Sequence, residues 1–194
     1  MKKLIALLLA LTLVVAFAGC GNTAGSNNGT TVEAVDALTA IKTLVNAYNT
    51  QYEGTDFQLP IVGGGYETMN WEGPDAVPTE DTAFLTQQLL VPETELSNIK
   101  SAASAMHSMN TNIFCAGSFN LVEGADYAAF AAGVKAAILG NRWMCGFPEK
   151  LVIANVGDCL IVVYGNAQIV ENFNTVIAET YSSATVLYNE AIEV

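Results

Sequence analysis

The sequence predicts an α+β fold in which a small antiparallel or mixed three-stranded sheet packs against several helices in two layers. Apolar residues recur at helical spacing in the first hundred residues and again near the C-terminus, whereas residues 112–121 alternate with a period of two. Two further apolar runs, 151–156 and 159–164, are separated only by Gly157-Asp158, which is a strong hairpin signal. Helices flanking such a sheet define the α+β class.

The first predicted helix covers residues 32–52. The pattern Thr30-x-x-Glu33 is typical of a capping box, and apolar residues follow it at spacings of three and four. Residues 54–78 then carry glycines and prolines that deny a regular helix, so we expect a long loop there.

Two further helices are predicted before the first strand. Thr79 is a candidate N-cap for a short helix that ends near Leu90, because acidic residues suited to the helix dipole follow it. Pro92 then opens a helix that runs to Met106. These assignments place strands only in the second half of the chain.

The second half mixes strands and helices. After the strand at 112–121, an alanine-rich helix is expected over 124–139, closed by a Gly-Asn pair. The hairpin at 151–164 follows, and apolar residues at helical spacing predict a long final helix from Ile169 to Tyr188. The predicted order is α-loop-α-α-β-α-β-β-α.

Residues 1–20 have the pattern of an export signal. Two lysines precede the apolar run Leu4 to Phe17, which is too short to span a bilayer as a helix. The segment Phe17-Ala18-Gly19-Cys20 resembles the lipobox of bacterial lipoproteins, in which the cysteine carries a diacylglyceryl (palmitate-type) anchor. Two acyl chains on one residue hold a protein firmly at a membrane. The alternative is cleavage at Ala18 by the general signal peptidase, with Cys20 left as an ordinary thiol.

The remainder divides into a tether and one domain. Residues 21–30 are mostly Gly, Asn, Ser and Thr, so we expect a flexible tether reaching roughly 17 Å. Residues 31–194 suffice for a single globular domain. Removing the two signal lysines leaves five basic against 19 acidic residues, a formal net charge of −14. Such a surface repels phosphate backbones and anionic lipids, which argues against nucleic-acid binding and leaves the lipid anchor as the membrane contact.

The order of these features carries a family resemblance. The chain begins with a lipoprotein signal, and the first predicted helix ends near Tyr48 to Tyr52. A Pro-initiated helix leads through Met106 and Met109 into a strand, and a Gly-turned hairpin is followed by a terminal helix. This order resembles an uncharacterised Firmicutes lipoprotein family, domain of unknown function 4358. The likeness covers most of residues 35–190. It implies export to the outer face of the bacterial cytoplasmic membrane, a lipid anchor and an α+β fold, and it brings no activity or site residues.

Catalytic motifs are sparse. His107 is the only histidine, and its position at a predicted helix-to-strand junction favours a surface or capping role over general-base chemistry. The acidic residues around the 54–78 loop do not follow the register of a calcium loop, and a glycosidase would need two of them facing each other across a cleft. No cofactor or metal is expected.

Three cysteines follow the signal: Cys115, Cys145 and Cys159. An odd number outside the cell allows one disulfide and a free thiol. We favour free thiols, because buried cysteine on a strand commonly serves as a small apolar residue. A Cys115–Cys159 disulfide is the alternative if their strands are neighbours.

Tyr66 and Trp71 in the glycine-rich loop are the candidate ligand contacts. Large amphipathic rings suit a sugar or peptide surface, although they could equally fold back over the core. Together these observations favour a membrane-anchored, non-catalytic binding or accessory module whose partner is an envelope protein, peptide or glycan. The alternative is an envelope hydrolase that uses carboxylates on glycan.

Overall fold

The computed structural model describes residues 34–144 and 146–193. The signal, Cys20, the tether and Cys145 lie outside the described residues. Within the described residues, the secondary structure comprises four α-helices, one 3₁₀ helix and seven strands. In chain order these are α1 (Ala37–Gln51), β1 (Ile61–Val62), β2 (Asp75–Val77), α2 (Thr82–Gln87), the 3₁₀ helix (Glu93–Asn98), β3 (Ile99–His107), β4 (Phe114–Leu121), α3 (Tyr127–Gly140), β5 (Lys150–Val156), β6 (Cys159–Gly165), α4 (Ala167–Thr180) and β7 (Thr185–Ala191).

The prediction of a small three-stranded sheet is wrong, although the α+β class holds. The seven strands form one antiparallel sheet in the order β1-β3-β4-β6-β5-β7, and β2 also pairs with β3. Helices cover both faces, so the arrangement has three layers instead of two. Helices α1 and α4 pack on one face, and α2 and α3 pack on the other.

The predicted helix from Pro92 to Met106 is wrong beyond its first turn. Only the 3₁₀ helix forms, and β3 follows at once. Ala103 and Ala105 of β3 face α1, while Ala102 and Met106 face the opposite cluster. A strand that is buried on both faces shows no alternation of polar and apolar residues. The alanines of β3 therefore gave the pattern expected of a helix.

The long final helix is also shorter than expected. Helix α4 ends at Thr180, and the chain turns through Ser182 and Ser183 into β7, which pairs with β5 at the edge of the sheet. The 54–78 loop likewise contains β1 and β2, which add two short pieces to the outer side of β3. These pairings extend the sheet on both sides.

Several local predictions are confirmed. Strands β5 and β6 pair as adjacent antiparallel strands, with Val156 opposite Cys159 across the Gly157-Asp158 turn. Gly157 has a φ of 59°, a left-handed conformation that favours glycine in such a turn. The alanine-rich helix is present as α3. The N-caps of α1 and α2 are Asp36 and Asp81, not Thr30 or Thr79, so both helices begin later than expected.

Candidate functional site

The start of the described chain lies at one end of the sheet, and the β3–β4 connection lies at the other. The described chain begins beside the β5–β6 turn, where the Val35 N–H donates to Asp158 Oδ1 at 2.6 Å. At the other end, β3 finishes at His107 and β4 starts at Phe114. A strand of seven residues is about 24 Å long, at about 3.4 Å per residue. The two ends are therefore well separated.

The end far from Val35 carries a cluster of loops that we call the distal loops. They comprise residues 108–113 between β3 and β4, residues 141–144 and 146–149 between α3 and β5, and Asn166 before α4. Two open depressions lie here, of about 470 Å³ and about 190 Å³, and both are lined by Asn110 and Asn112. They adjoin, because the same two side chains form part of each wall.

Asparagine side chains hold the distal loops together. Asn112 Nδ2 donates to the carbonyl oxygens of Met144 and Gly146 at 3.3 and 3.0 Å. Asn110 Oδ1 accepts from the Asn112 N–H at 3.0 Å, which fixes the turn after β3. These contacts join the β3–β4 loop to the α3–β5 loop, although the two are more than thirty residues apart in sequence.

The smaller depression continues to the start of α4. Glu149 Oε2 accepts from Asn166 Nδ2 at 3.0 Å and from the Ala167 N–H at 2.8 Å. Asn166 Oδ1 accepts from the amides of Gln168 and Ile169 and so caps the helix. Glu149 also complements the positive end of the α4 dipole. The carboxylate is thus held in position with Oε1 free of any hydrogen bond to another described residue.

Large apolar side chains at the distal loops face solvent. Met109 is 86% exposed, Met144 is 80% exposed and Phe147 is 55% exposed. Met109 and Met144 line the larger depression, and Phe147 lines the smaller one. Several exposed apolar side chains in one region, rimmed by polar groups, are typical of an interaction site.

His107 has a structural role at this end. Its Nδ1 accepts from the backbone amides of Met109 and Asn110, both at 3.2 Å, so it caps the turn that leaves β3. Burial lowers the pKa of His107. An Nδ1 that accepts two amide protons cannot carry the proton that a metal-bound imidazole normally donates through its second nitrogen. Capping, one of the roles expected from the sequence, is therefore what the geometry provides.

Acidic side chains also lie outside the distal loops. Among residues 34–144 and 146–193, no group of three or more His, Cys, Asp or Glu could hold a metal ion. Asp36 and Asp158 line a separate depression of about 280 Å³ near the start of the described chain, together with Lys100. Both carboxylates accept backbone hydrogen bonds, from Thr39 and from Val35. Their positions serve the folding of α1.

The predicted contact residues Tyr66 and Trp71 are placed differently from each other. The Tyr66 ring packs edge-on against Phe84 at 5.1 Å between centroids, and its N–H donates to Asp81. Trp71 is 73% exposed and makes no ring contact with another described residue. The Tyr66 ring therefore contacts the core through Phe84 but remains half exposed, while Trp71 faces solvent beside the outer edge of β3.

The described cysteines are free. Cys115 and Cys159 lie on the neighbouring strands β4 and β6, but they pack into clusters on opposite faces of the sheet. Cys115 lies opposite Tyr164, five residues from Cys159, so a bond between them is not possible without moving the backbone. Burial raises the pKa of Cys115 to about 11 and that of Cys159 to about 12, which keeps both as thiols.

Comparisons of the chain with protein-family models, curated proteins and solved structures found no match. The resemblance to the lipoprotein family stays a prediction. Within the part of the chain that the structure describes, no helix is long and apolar enough to cross a membrane. The candidate site therefore rests on the geometry of this chain alone.

The distal loops were not predicted from the sequence. The sequence points to Met109 only within the family pattern, and it does not mark Phe147, Asn110 or Asn112 as site residues. The available signal was composition: three asparagines and two methionines fall within the short segments 109–112 and 141–147. Nothing in the sequence shows that these segments meet.

Proposed function

We propose that this protein is an exported lipoprotein, anchored through Cys20 to the outer face of the bacterial cytoplasmic membrane, whose folded domain is a non-catalytic binding module. The distal loops are its binding surface. The observation that carries the proposal is the juxtaposition of exposed Met109, Met144 and Phe147 with two open, asparagine-lined depressions.

The position of these loops supports the binding role. The first described residues lie at the opposite end of the sheet, where the Val35 N–H donates to Asp158 Oδ1, about 24 Å along the strands from the distal loops. The start of the described chain therefore does not cover the distal loops, which are left open to a ligand. The chain is strongly acidic, so an anionic membrane surface repels it.

The shape of the site supports binding over catalysis. The depressions are open, and the one carboxylate that lines them, Glu149, already accepts two hydrogen bonds. General acid–base chemistry on glycan would require a second carboxylate facing it. His107 is engaged through Nδ1 with the backbone. The distal loops therefore offer shape and hydrogen bonds for holding a ligand.

The test places a photo-crosslinking amino acid at Met144 in intact cells. We expect one discrete adduct at this position, because the side chain lies at the proposed contact surface. The matched control carries the same amino acid at Val122, an exposed apolar residue at the opposite end of the sheet. Equal adducts at both positions, or none at Met144, would contradict the proposed binding surface.

A further inference from the structure

We infer that the distal loops bind a neutral oligosaccharide that bears acetamido groups. This inference rests on the proposed function, because it names the ligand class of the same surface. It is carried by three features: uncommitted amide groups in the walls of both depressions, an exposed aromatic ring beside them, and the scarcity of charge in the lining.

The side-chain amides of Asn110 and Asn112 are held by hydrogen bonds, but each keeps one polar atom without a partner among the described residues. Asn110 uses Oδ1 to accept from Asn112, and its Nδ2 makes no hydrogen bond to another described residue. Asn112 donates through Nδ2 to the carbonyl oxygens of Met144 and Gly146, and its Oδ1 accepts no hydrogen bond from another described residue. A fixed donor and a fixed acceptor in one wall match an acetamido group, which offers one N–H and one carbonyl.

The apolar side chains supply the second half of the recognition. Sugar rings have apolar faces of C–H groups, and an aromatic ring is a suitable platform for such a face. Phe147 is a little more than half exposed and lines the same depression as Asn110 and Asn112. Few polar groups in fixed positions beside an apolar surface are the usual composition of a small-ligand site.

Charge selects among glycans. Glu149 is the acidic residue in the lining, and a negative ligand would meet both its carboxylate and the strongly acidic domain. A phosphate-rich or uronic acid polymer is therefore disfavoured. Because the two depressions share Asn110 and Asn112, a chain of several sugar units can cover both.

A peptide ligand fits the surface less well. Extended peptides commonly add to an exposed strand edge or place an apolar helix face in a hydrophobic groove. The distal loops lie at the ends of strands and present no strand edge, and the larger depression is lined mainly by polar residues, so it is not a continuous apolar groove. A peptide is therefore an outcome that the experiment must separate from a sugar.

The experiment is calorimetric titration of the full-length chain in a detergent without a sugar head group. The probe is the tetramer of N-acetylglucosamine, and the comparator is the corresponding glucose tetramer. We expect saturable binding of the first and at least about fivefold weaker binding of the second, which lacks the acetamido hydrogen bonds. Acetylated pentaalanine amide is the peptide arm and should not bind.

Two variants locate the site. Phe147→Ala removes the platform and should weaken binding about fivefold to tenfold. Asn110→Asp keeps the Oδ1 acceptor for the Asn112 N–H but removes the free donor, and it should weaken binding about fivefold. Both changes are at partly exposed positions, and unfolding in urea verifies that each variant is folded. Val122→Ala, which shortens an exposed apolar side chain at the opposite end of the sheet, should leave binding unchanged.

Several results would overturn the inference. The first is no binding of the amino sugar, and the second is equal binding of the glucose tetramer. The others are binding of the peptide alone and a loss of binding with Val122→Ala in place of Phe147→Ala. The membrane anchor is tested separately, because a chain that lacks the acyl group keeps the same distal loops. An adduct at Met144 without sugar binding would preserve the binding surface and reject only the ligand class.

Discussion

Asn120 is a buried amide on β4 whose side chain makes four hydrogen bonds. Its Oδ1 accepts from the Ala37 N–H at 2.8 Å and from Ser101 Oγ at 3.1 Å. Its Nδ2 donates to the carbonyl oxygens of Val35 and Asp158 at 2.8 and 3.1 Å. One residue thus fixes the start of α1 against the β5–β6 turn.

Asn120→Ala should lower the free energy of unfolding by about 3 kcal/mol, because several buried polar groups lose their partners at once. Urea unfolding measures the loss. Asn46→Ala on the exposed side of α1 is the matched control and should change stability by less than about 0.5 kcal/mol. Similar losses in the two variants would show that the Asn120 hydrogen bonds contribute little.

His107 gives a prediction on pH. Burial lowers its pKa in the folded state, so the unfolded chain binds the proton more readily. The stability that neutral His107 contributes is fully present above its unfolded pKa of about 6.5 and is lost as pH falls through the lower folded pKa. Protonation would also end the acceptance of the Met109 and Asn110 amides by Nδ1.

The wild-type chain should therefore lose more stability than His107→Gln when the pH is lowered from 7.5 to 5.5. Urea unfolding at both pH values measures the difference, and comparison with the variant cancels the titration of the acidic residues. Equal losses in the two proteins, or a gain of stability by the wild type on acidification, would contradict the capping role of neutral His107.

At the scale of elements, the contact between β6 and the turn before β4 depends on Gly165. A Cβ at this position would lie 2.2 Å from the Ile113 carbonyl oxygen, and the backbone φ is 156°. The Asn166 N–H donates to the same Ile113 carbonyl at 2.9 Å. Strand β6 can therefore pair with β4 and lead into α4 only if residue 165 has no side chain.

Gly165→Ala should lower the free energy of unfolding by more than about 3 kcal/mol or prevent folding. Gly54→Ala separates the steric clash from the cost of the backbone conformation, because Gly54 has a φ of 72° with nothing within 4 Å of a new Cβ. Its cost should be about 1 kcal/mol from backbone conformation alone. Urea unfolding of both variants measures the contrast, and comparable losses would argue against the steric explanation.

On the scale of the whole molecule, the start of the described chain and the distal loops lie at opposite ends of one sheet. The described residues belong to a single compact unit, and its central strands β4 and β6 are buried along their full length. The membrane contact proposed above is the lipid anchor at Cys20. Within the described part of the chain, no helix is long and apolar enough to span a bilayer.

Cys20→Ser should abolish both membrane retention after a high-salt wash and incorporation of an alkyne-bearing palmitate analogue. The physical reason is that the proposed acyl chains are attached to this one residue, and the apolar run before it is too short to span the bilayer. Cell fractionation and labelling measure the two effects, with Cys145→Ser as the control. A Cys20→Ser chain that stays in the membrane fraction would reject the lipoprotein proposal.

The sequence by itself determined the local features whose causes are local. The β5–β6 hairpin follows from two apolar runs around Gly157-Asp158, and α3 follows from an alanine-rich segment with an apolar face. The α+β class was also predictable from such elements. The size of the sheet was not, because β3 and β7 gain their strand conformation from pairing with β4 and β5.

Only the tertiary structure brought the candidate site together. Asn112 and Gly146 are distant in sequence, and they meet because the β3–β4 and α3–β5 connections leave the sheet at the same end. A sequence shows which residues could contact a ligand, but it does not show which loops share an end of the sheet. Strand order decides that, and strand order depends on burial of both faces of the sheet against helices.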